Sequence, residues 1–126
     1  MSEIYFTKEH EWVKIDGTSA VCGISEHAAH ELGDVTFVEL PAVGKQVKRE
    51  EVMAAIESVK AAADVKLPIT GKVFEVNDEL TNTPEQINTD PFGTAWILKV
   101  ELSDPSELNV LMDADAYAKY CETRGH

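Results

Sequence analysis

The sequence predicts a mostly β fold in one domain spanning residues 1–126, with small peripheral helices and a C-terminal helix. Short runs rich in β-branched and aromatic residues recur along the chain and are separated by turn signals such as Asp16-Gly17 and Pro41. Ser25 and Asp104 provide helix-capping signals. The 126 residues, 44% of them hydrophobic, can bury one core, and no linker, repeat or low-complexity tract divides the chain.

The strands are predicted from their content of β-forming residues. Four segments are of this kind: 18–24, 34–40, 71–76 and 96–102. Residues 4–15 mix aromatic and β-branched residues with charges, and Asp16-Gly17 after them is a hairpin turn signal. In the third segment, Val73 faces the side opposite to Phe74 and Val76. Residues 77–92 are typical of a loop, with a single helical turn near Glu79.

The two helices are predicted from their ends. Ser25 is placed to cap a helix over residues 26–32, which Gly33 would end. The run Asp104-Pro105-Ser106-Glu107 combines a cap, a proline at the first helical position and a glutamate at the third, which predicts the start of the C-terminal helix. An apolar stripe at helical spacing follows and would pack on the domain: Leu108, Leu111, Met112, Ala116, Tyr117, Tyr120 and Cys121.

Residues 49–66 allow two interpretations. Apolar residues at helical spacing, together with several alanines, predict a helix, on which Lys60 would be an ordinary solvated lysine. The alternation in Val52-Ala54-Ile56 and in Val65-Leu67-Ile69 favours two strands joined by a turn. Periodicity alone favours the helix.

The charge balance excludes some partners. With 23 acidic and 11 basic residues the net charge is −12, which repels nucleic-acid phosphates and anionic lipid, so neither nucleic acid nor a membrane is an expected partner. Such a surface would steer the chain toward enzymes with basic docking patches. Two isolated cysteines, Cys22 and Cys121, suit a reducing cytosol, and Cys22 is expected in the core. The N-terminus lacks signal or transit features, which predicts a cytoplasmic, bacterial-type protein or a mature form from which such a segment has already been removed.

We expect no catalytic residues and no metal site. No Ser-His-Asp or Cys-His arrangement and no phosphate-binding glycine loop stands out. His27, His30 and Glu31 lie within about one turn of the predicted helix and could chelate a metal, but they lack the HExxH order and the sequence specifies no further ligand. A solvated helix face is therefore expected there. Trp12 and Trp96 are expected as buried or half-buried anchors.

Six groups of residues follow one another in an order that covers almost the whole chain. They are Tyr5-Phe6-Thr7-Lys8-Glu9-His10-Glu11-Trp12; Gly23-Ile24-Ser25-Glu26-His27-Ala28 with Leu32-Gly33-Asp34-Val35; Phe37-Val38-Glu39-Leu40-Pro41; Glu57-Ser58-Val59-Lys60-Ala61-Ala62-Ala63-Asp64 with Pro68-Ile69-Thr70-Gly71; Glu75-Val76-Asn77; and Asn88-Thr89-Asp90-Pro91-Phe92-Gly93 with Trp96. Together they resemble the H-protein family of the glycine cleavage system. Glu50 and Ala95 depart from the family, which usually has glycine at both turns.

The resemblance implies a flattened barrel-sandwich hybrid of the lipoyl and biotinyl type, and on that ground we interpret residues 49–66 as strand, turn and strand. Lys60 would stand at the tip of an exposed hairpin and carry lipoate in an amide bond. Val59 and Ala61 are not the methionines that typically flank a biotinyl lysine. The family also implies a surface cavity for the loaded arm, whose candidate lining residues are Glu11, Asp64 and His10.

The implied function is that of a carrier and not of an enzyme. It would take an aminomethyl group from the pyridoxal-phosphate-dependent glycine decarboxylase (P-protein) to the tetrahydrofolate-dependent aminomethyltransferase (T-protein). Dihydrolipoamide dehydrogenase (L-protein) would reoxidise the arm, and a lipoate ligase or a lipoyl/octanoyl transferase would attach it. Two alternatives are a lipoyl relay donor to 2-oxoacid dehydrogenase subunits and a non-lipoylated interaction module of the same fold.

Overall fold

A computed structural model describes residues 3–8, 10–103, 106–107 and 111–123. Within them, antiparallel strands form a six-stranded sheet of order β1-β2-β3-β9-β8-β5 and a three-stranded sheet of order β4-β6-β7. The strands are β1 Glu3–Phe6, β2 Glu11–Asp16, β3 Ser19–Ile24, β4 Val35–Glu39, β5 Gln46–Val47, β6 Val52–Ser58, β7 Ala62–Lys66, β8 Gly71–Val76 and β9 Leu98–Leu102. The helices are α1 Glu26–Leu32, α2 Glu79–Asn82, α3 Gln86–Thr89 and α4 Ala114–Thr123. The predicted fold class, mostly β with small peripheral helices and a C-terminal helix, is confirmed, and the strands form two sheets.

One apolar core joins the two sheets. Val13 and Leu98 of the six-stranded sheet and Ile56 of the three-stranded sheet are fully buried in the same cluster. Cys22 also lies in this core, as predicted, and burial raises the pKa of its thiol, so the group stays protonated and inert. None of the helices in the described part of the chain is both long enough and apolar enough to cross a bilayer.

A second, aromatic cluster lies where α4 packs on β1 and β2. The rings of Phe6 and Tyr117 stack with centroids 4.3 Å apart, and Trp12 is buried beside them. The indole N–H of Trp12 donates a hydrogen bond of 3.0 Å to the carbonyl of Pro91. Trp96 packs against the cluster and is half-buried. Both tryptophans are therefore anchors, as predicted.

Local signals located the first helix and the β2–β3 hairpin correctly, and the family resemblance located the β6–β7 hairpin. The Ser25 hydroxyl accepts a hydrogen bond from the Ala28 N–H and caps α1, which ends at Gly33 with a positive φ of 74°. Residues 49–66 contain the antiparallel pair β6 and β7, with Ala55 opposite Asp64, so the strand interpretation is confirmed and the helix suggested by periodicity is wrong. From Ala54 to Glu57 buried and more exposed side chains alternate along β6, whereas Met53 is also buried, at an irregularity in the register with β7.

The C-terminal helix begins later than its predicted start. Asp104 and Pro105 lie outside the described residues, and the Glu107 carboxylate accepts hydrogen bonds from the N–H and the hydroxyl of Thr70. Met112 is held in extended conformation by two backbone hydrogen bonds to Phe6, so a helix cannot pass through it. The Asp113 side chain then accepts from the Ala116 N–H and caps α4, which starts at Ala114.

Two short elements were not predicted from the sequence. The two-residue strand β5 pairs only with β8, and α3 follows the predicted helical turn α2. Elements of one turn or less carry too few residues to show a period.

The two departures from the family differ in their backbone conformation. Glu50 has a φ of 74°, the left-handed region in which glycine is favoured, so this chain accepts a strained residue in the turn before β6. Ala95 is buried and does not have a positive φ. An alanine therefore replaces glycine there without backbone strain.

Candidate functional site

Lys60 lies in the turn between β6 and β7, with its side chain exposed. The Ser58 N–H donates to the Ala61 carbonyl at 2.7 Å and closes the turn. The Ser58 hydroxyl accepts from the Ala61 N–H at 3.1 Å, so the tip is held by its own hydrogen bonds. An exposed amine on a fixed turn is what a modifying enzyme needs in order to recognise one lysine.

Three residues distant in sequence support this tip. The Asp34 carbonyl accepts from the Val59 N–H at 3.0 Å. The Asn88 side chain accepts from the Val35 N–H at 2.9 Å and donates to the Gly33 carbonyl at 2.7 Å, which ties α3 to the end of α1. A Cβ at Gly33 would lie 3.3 Å from Cε of Lys60, so the lysine stem passes closely over the backbone there. Sequence analysis gave Asn88 and Gly33 no role at the site, because their partners are remote in the chain.

A cavity of about 200 Å³ opens between α1 and β7. Its floor is apolar, with Ile24, Leu32 and Ile56, and the lysine tip is only three residues from another lining residue, Ala63. The three predicted candidates His10, Glu11 and Asp64 all lie in its lining. Glu31 of α1 also lines the cavity, although the sequence predicted a solvated helix face for this residue.

The carboxylate of Glu11 is largely engaged by its neighbours. It is buried, accepts a 2.7 Å hydrogen bond from the Thr7 hydroxyl, and accepts another of 3.3 Å from the Lys66 N–H. These bonds tie the loop before β2 to the end of β7. The geometry supports a positioning role for Glu11, whereas the side chain of Asp64 is exposed on the rim.

His10 is held in a chain of side-chain hydrogen bonds. Its Nδ1 lies 2.7 Å from the Tyr117 Oη, which in turn lies 2.7 Å from the Ser25 Oγ. Burial raises the pKa of the Tyr117 phenol, so it remains protonated and available as a donor. His10 has a φ of 71°, a conformation rare for residues other than glycine, and its carbonyl accepts from the Ser25 N–H. The ring is therefore fixed at the cavity wall by the fold around it.

The arrangement is suited to presenting and sheltering a group attached at Lys60. The tip offers the amine to solvent, and the neighbouring cavity combines an apolar floor with acidic side chains at Glu31 and Asp64. Such a rim could hold a cationic end of an attached arm by charge-assisted hydrogen bonds.

Comparisons with known proteins agree with this geometry. Residues 4–124 match the model of the family described as "Glycine cleavage H-protein". The chain is 53% identical to the glycine cleavage system H protein of Thermotoga maritima over 116 residues, covering 92% of this chain and 94% of that protein. It is 50% identical to the mitochondrial glycine cleavage system H protein 2 of Arabidopsis thaliana over 122 residues, covering 97% and 78%.

The fold is also found in a solved structure. The crystal structure of a glycine cleavage system H protein from Mycobacterium marinum superposes with a TM-score of 0.85 at 32% identity, covering 98% of each chain. Because the match extends from β1 to α4, it includes the lysine hairpin, the cavity and the aromatic cluster. The chain belongs to the glycine cleavage H-protein family.

Proposed function

We propose that this chain is the lipoyl carrier of a glycine cleavage system, with lipoate attached through an amide to Lys60. The single observation that carries the proposal is the place of Lys60, an exposed amine at the tip of the rigid β6–β7 hairpin. Membership of the H-protein family supports the shuttle role in glycine cleavage. The chain carries an aminomethyl group between enzymes and does not itself catalyse a reaction.

The residues around the hairpin fit such an arm. The small side chains of Ala61 and Ala62 leave room for a modifying enzyme to reach the amine, and the nearby cavity could shelter the far end of the arm. Lipoate, when bound, would supply a disulfide that opens on accepting the one-carbon unit, and the dithiol left after transfer of that unit would be reoxidised by dithiol–disulfide exchange. The protein orients the arm at Lys60 and limits water access through the cavity walls.

The partners follow from the same role. The glycine decarboxylase, the aminomethyltransferase and the dihydrolipoamide dehydrogenase must each reach the arm, and a ligase or transferase must first load it. The net charge of −12 would steer this chain toward basic docking patches on these enzymes. Cytoplasmic localisation remains part of the proposal.

Attachment at Lys60 can be tested by intact mass. The chain expressed with lipoate and a lipoate ligase should gain one lipoyl increment, and Lys60→Arg should gain none because a guanidinium cannot form the amide. Lys45→Arg is the matched control: Lys45 is exposed in a different turn, and its variant should be loaded like the parent chain. No increment on the parent chain, with the ligase active on another lipoyl domain, would refute the carrier role.

The role of the acidic rim can be tested at Asp64. Asp64→Lys should speed loss of the carried aminomethyl group several-fold. The positively charged amino group of the aminomethyl unit would be attracted by the Asp64 carboxylate and repelled by a lysine. The variant should fold normally since Asp64 is exposed. Glu57→Lys is the control, because Glu57 is an exposed acid on the same hairpin that does not line the cavity. Equal release rates in the two variants would show that Asp64 does not help to hold the carried group in the cavity.

Glu11 and His10 are proposed as positioning residues of the same cavity. Glu11 is fixed by hydrogen bonds from the Thr7 hydroxyl and the Lys66 N–H, His10 is fixed by its hydrogen bond with Tyr117 of α4, and both residues line the cavity. Glu11→Gln keeps the shape of the side chain and is expected to alter the release rate less than Asp64→Lys does. A larger effect in Glu11→Gln would instead make Glu11 the main contact of the carried group.

A further inference from the structure

His10, His27 and Glu31 form a cluster. The proposed function refers to His10 and Glu31 singly, as residues that line the cavity, and gives no role to the three residues together. One ligand-capable atom from each lies within 4.8 Å of the other two. We propose that these three side chains bind one divalent transition-metal ion, of which Zn²⁺ is representative. The proposal goes beyond the carrier role and does not depend on lipoylation. Sequence analysis predicted no metal site here because His10, the third ligand, lies 17 residues before His27.

The first argument is the spacing of the ligand atoms. His27 Nε2 lies 3.4 Å from an Oε atom of Glu31. Two ligands at about 2.0–2.2 Å from a tetrahedral zinc are themselves about 3.3–3.6 Å apart. His27 and Glu31 occupy positions i and i+4 of α1, so the helix already holds this pair on one face.

The second argument is the orientation of His10. Its ring lies against that of His27 with centroids 4.3 Å apart, and a ligand-capable nitrogen of each ring lies within 4.8 Å of the other. We assign Nε2 of His10 to the metal, because Tyr117 Oη engages Nδ1 of the same ring. A metal at Nε2 requires the proton on Nδ1, and Tyr117 can accept that hydrogen bond while donating its own proton to Ser25. An oxygen partner on the distal nitrogen is the usual support of a metal-binding histidine.

The third argument is the chemistry and exposure of the set. Two imidazoles and one carboxylate are ligands that suit Zn²⁺ and related ions, and three protein ligands leave a fourth position open. His10 and His27 are half-buried and Glu31 is exposed, so an ion can enter from the solvent side. His10 and Glu31 also line the cavity beside the lysine hairpin, which places the ion at the cavity wall.

The test is a zinc titration of the full, untagged chain without lipoate. Calorimetry measures the binding, and the midpoint temperature of thermal unfolding is measured with and without zinc. The parent chain should bind one Zn²⁺ and melt at a higher temperature with it. His27→Gln and Glu31→Gln should each weaken binding by at least about tenfold, and Tyr117→Phe by about 10–100-fold through its effect on His10. Co²⁺ in place of Zn²⁺ should show the visible absorption of a four-coordinate site without thiolate bands.

His30→Gln is the matched control. His30 is exposed on the same helix but is not part of the cluster, so its variant should bind like the parent chain. Loss of binding in His30→Gln would mean that the helix face, and not the cluster with His10, holds the ion. No saturable binding by the parent chain, unchanged binding in His27→Gln and Glu31→Gln, or thiolate bands with Co²⁺ would each overturn the proposal. Circular dichroism of each variant separates lost binding from lost folding.

Discussion

Glycine cleavage is expected to fall at least about a hundredfold when the hairpin lysine is moved by one position. The variant exchanges Val59 and Lys60, so composition and charge stay the same. Val59 is 71% exposed, so a lysine there would still present its amine to solvent. The exchange therefore tests placement of the amine and not its presence.

The expected loss follows from how the turn is held. The Val59 N–H is bound by the Asp34 carbonyl, and the stem of Lys60 passes over Gly33. A lysine at position 59 would leave the turn one residue earlier and would lack that contact. The modifying enzyme and the partner enzymes of the proposed function would then meet an amine displaced from the position at which they are expected to recognise it.

The measurement is glycine-dependent turnover with the other components of the system, together with the intact mass of the carrier. Val59→Lys, which keeps Lys60, should retain both loading and turnover and serves as the control. Loading and turnover of the exchanged variant at the parent level would show that any exposed lysine at the tip is sufficient.

Trp12→Ala is expected to lower the free energy of unfolding by about 3–5 kcal/mol, the usual cost of removing a buried tryptophan. Trp12 is 1% exposed, belongs to the aromatic cluster, with its ring tilted by 37° against that of Phe92, and donates a hydrogen bond to the Pro91 carbonyl. It also lies directly opposite Gly23 across the β2–β3 pair. Since domains of this size are stable by about 5–15 kcal/mol, the variant should be close to unfolding.

Urea unfolding of the apo-protein measures this cost, and Gly23→Ala provides the complementary change. A Cβ at Gly23 would come within 2.8 Å of the Trp12 ring, so that variant alone should lose about 1–3 kcal/mol through overpacking. The double variant should lose less than the sum, because the added methyl group then enters space that the ring has left. Additive losses, or a cost below about 1 kcal/mol for Trp12→Ala, would contradict this packing.

The residues that line the arm cavity could be predicted from the sequence only in part. His10, Glu11 and Asp64 were identified through the family resemblance, and the structure places all three in one lining. The burial and the hydrogen-bond partners of each of these residues could not be predicted from the sequence. Glu11 is held by Thr7 and by the Lys66 N–H, whereas Asp64 is exposed, and that difference depends on how β7 meets the loop before β2.

The sequence by itself determined the elements whose signals are local. The Ser25 cap, the Gly33 end of α1 and the Asp16-Gly17 turn depend on residues that are close in the chain, and each is found where it was predicted. The mostly β class follows from the same short strands and turns. The identity of the candidate carrier lysine followed from the order of its neighbours along the chain.

Only the tertiary structure decided features that depend on remote partners. The local pattern of residues 49–66 predicts a helix, and the two strands were predicted only through the family resemblance; they form because pairing with β4 and burial against the other sheet outweigh a weak helix propensity. The bridge between Phe6 and Met112 delays α4 until Ala114. His10 reaches His27 and Glu31 only because β2, β3 and α1 fold back on one another. Contacts between residues distant in sequence leave no local pattern, and for that physical reason the chain alone did not reveal them.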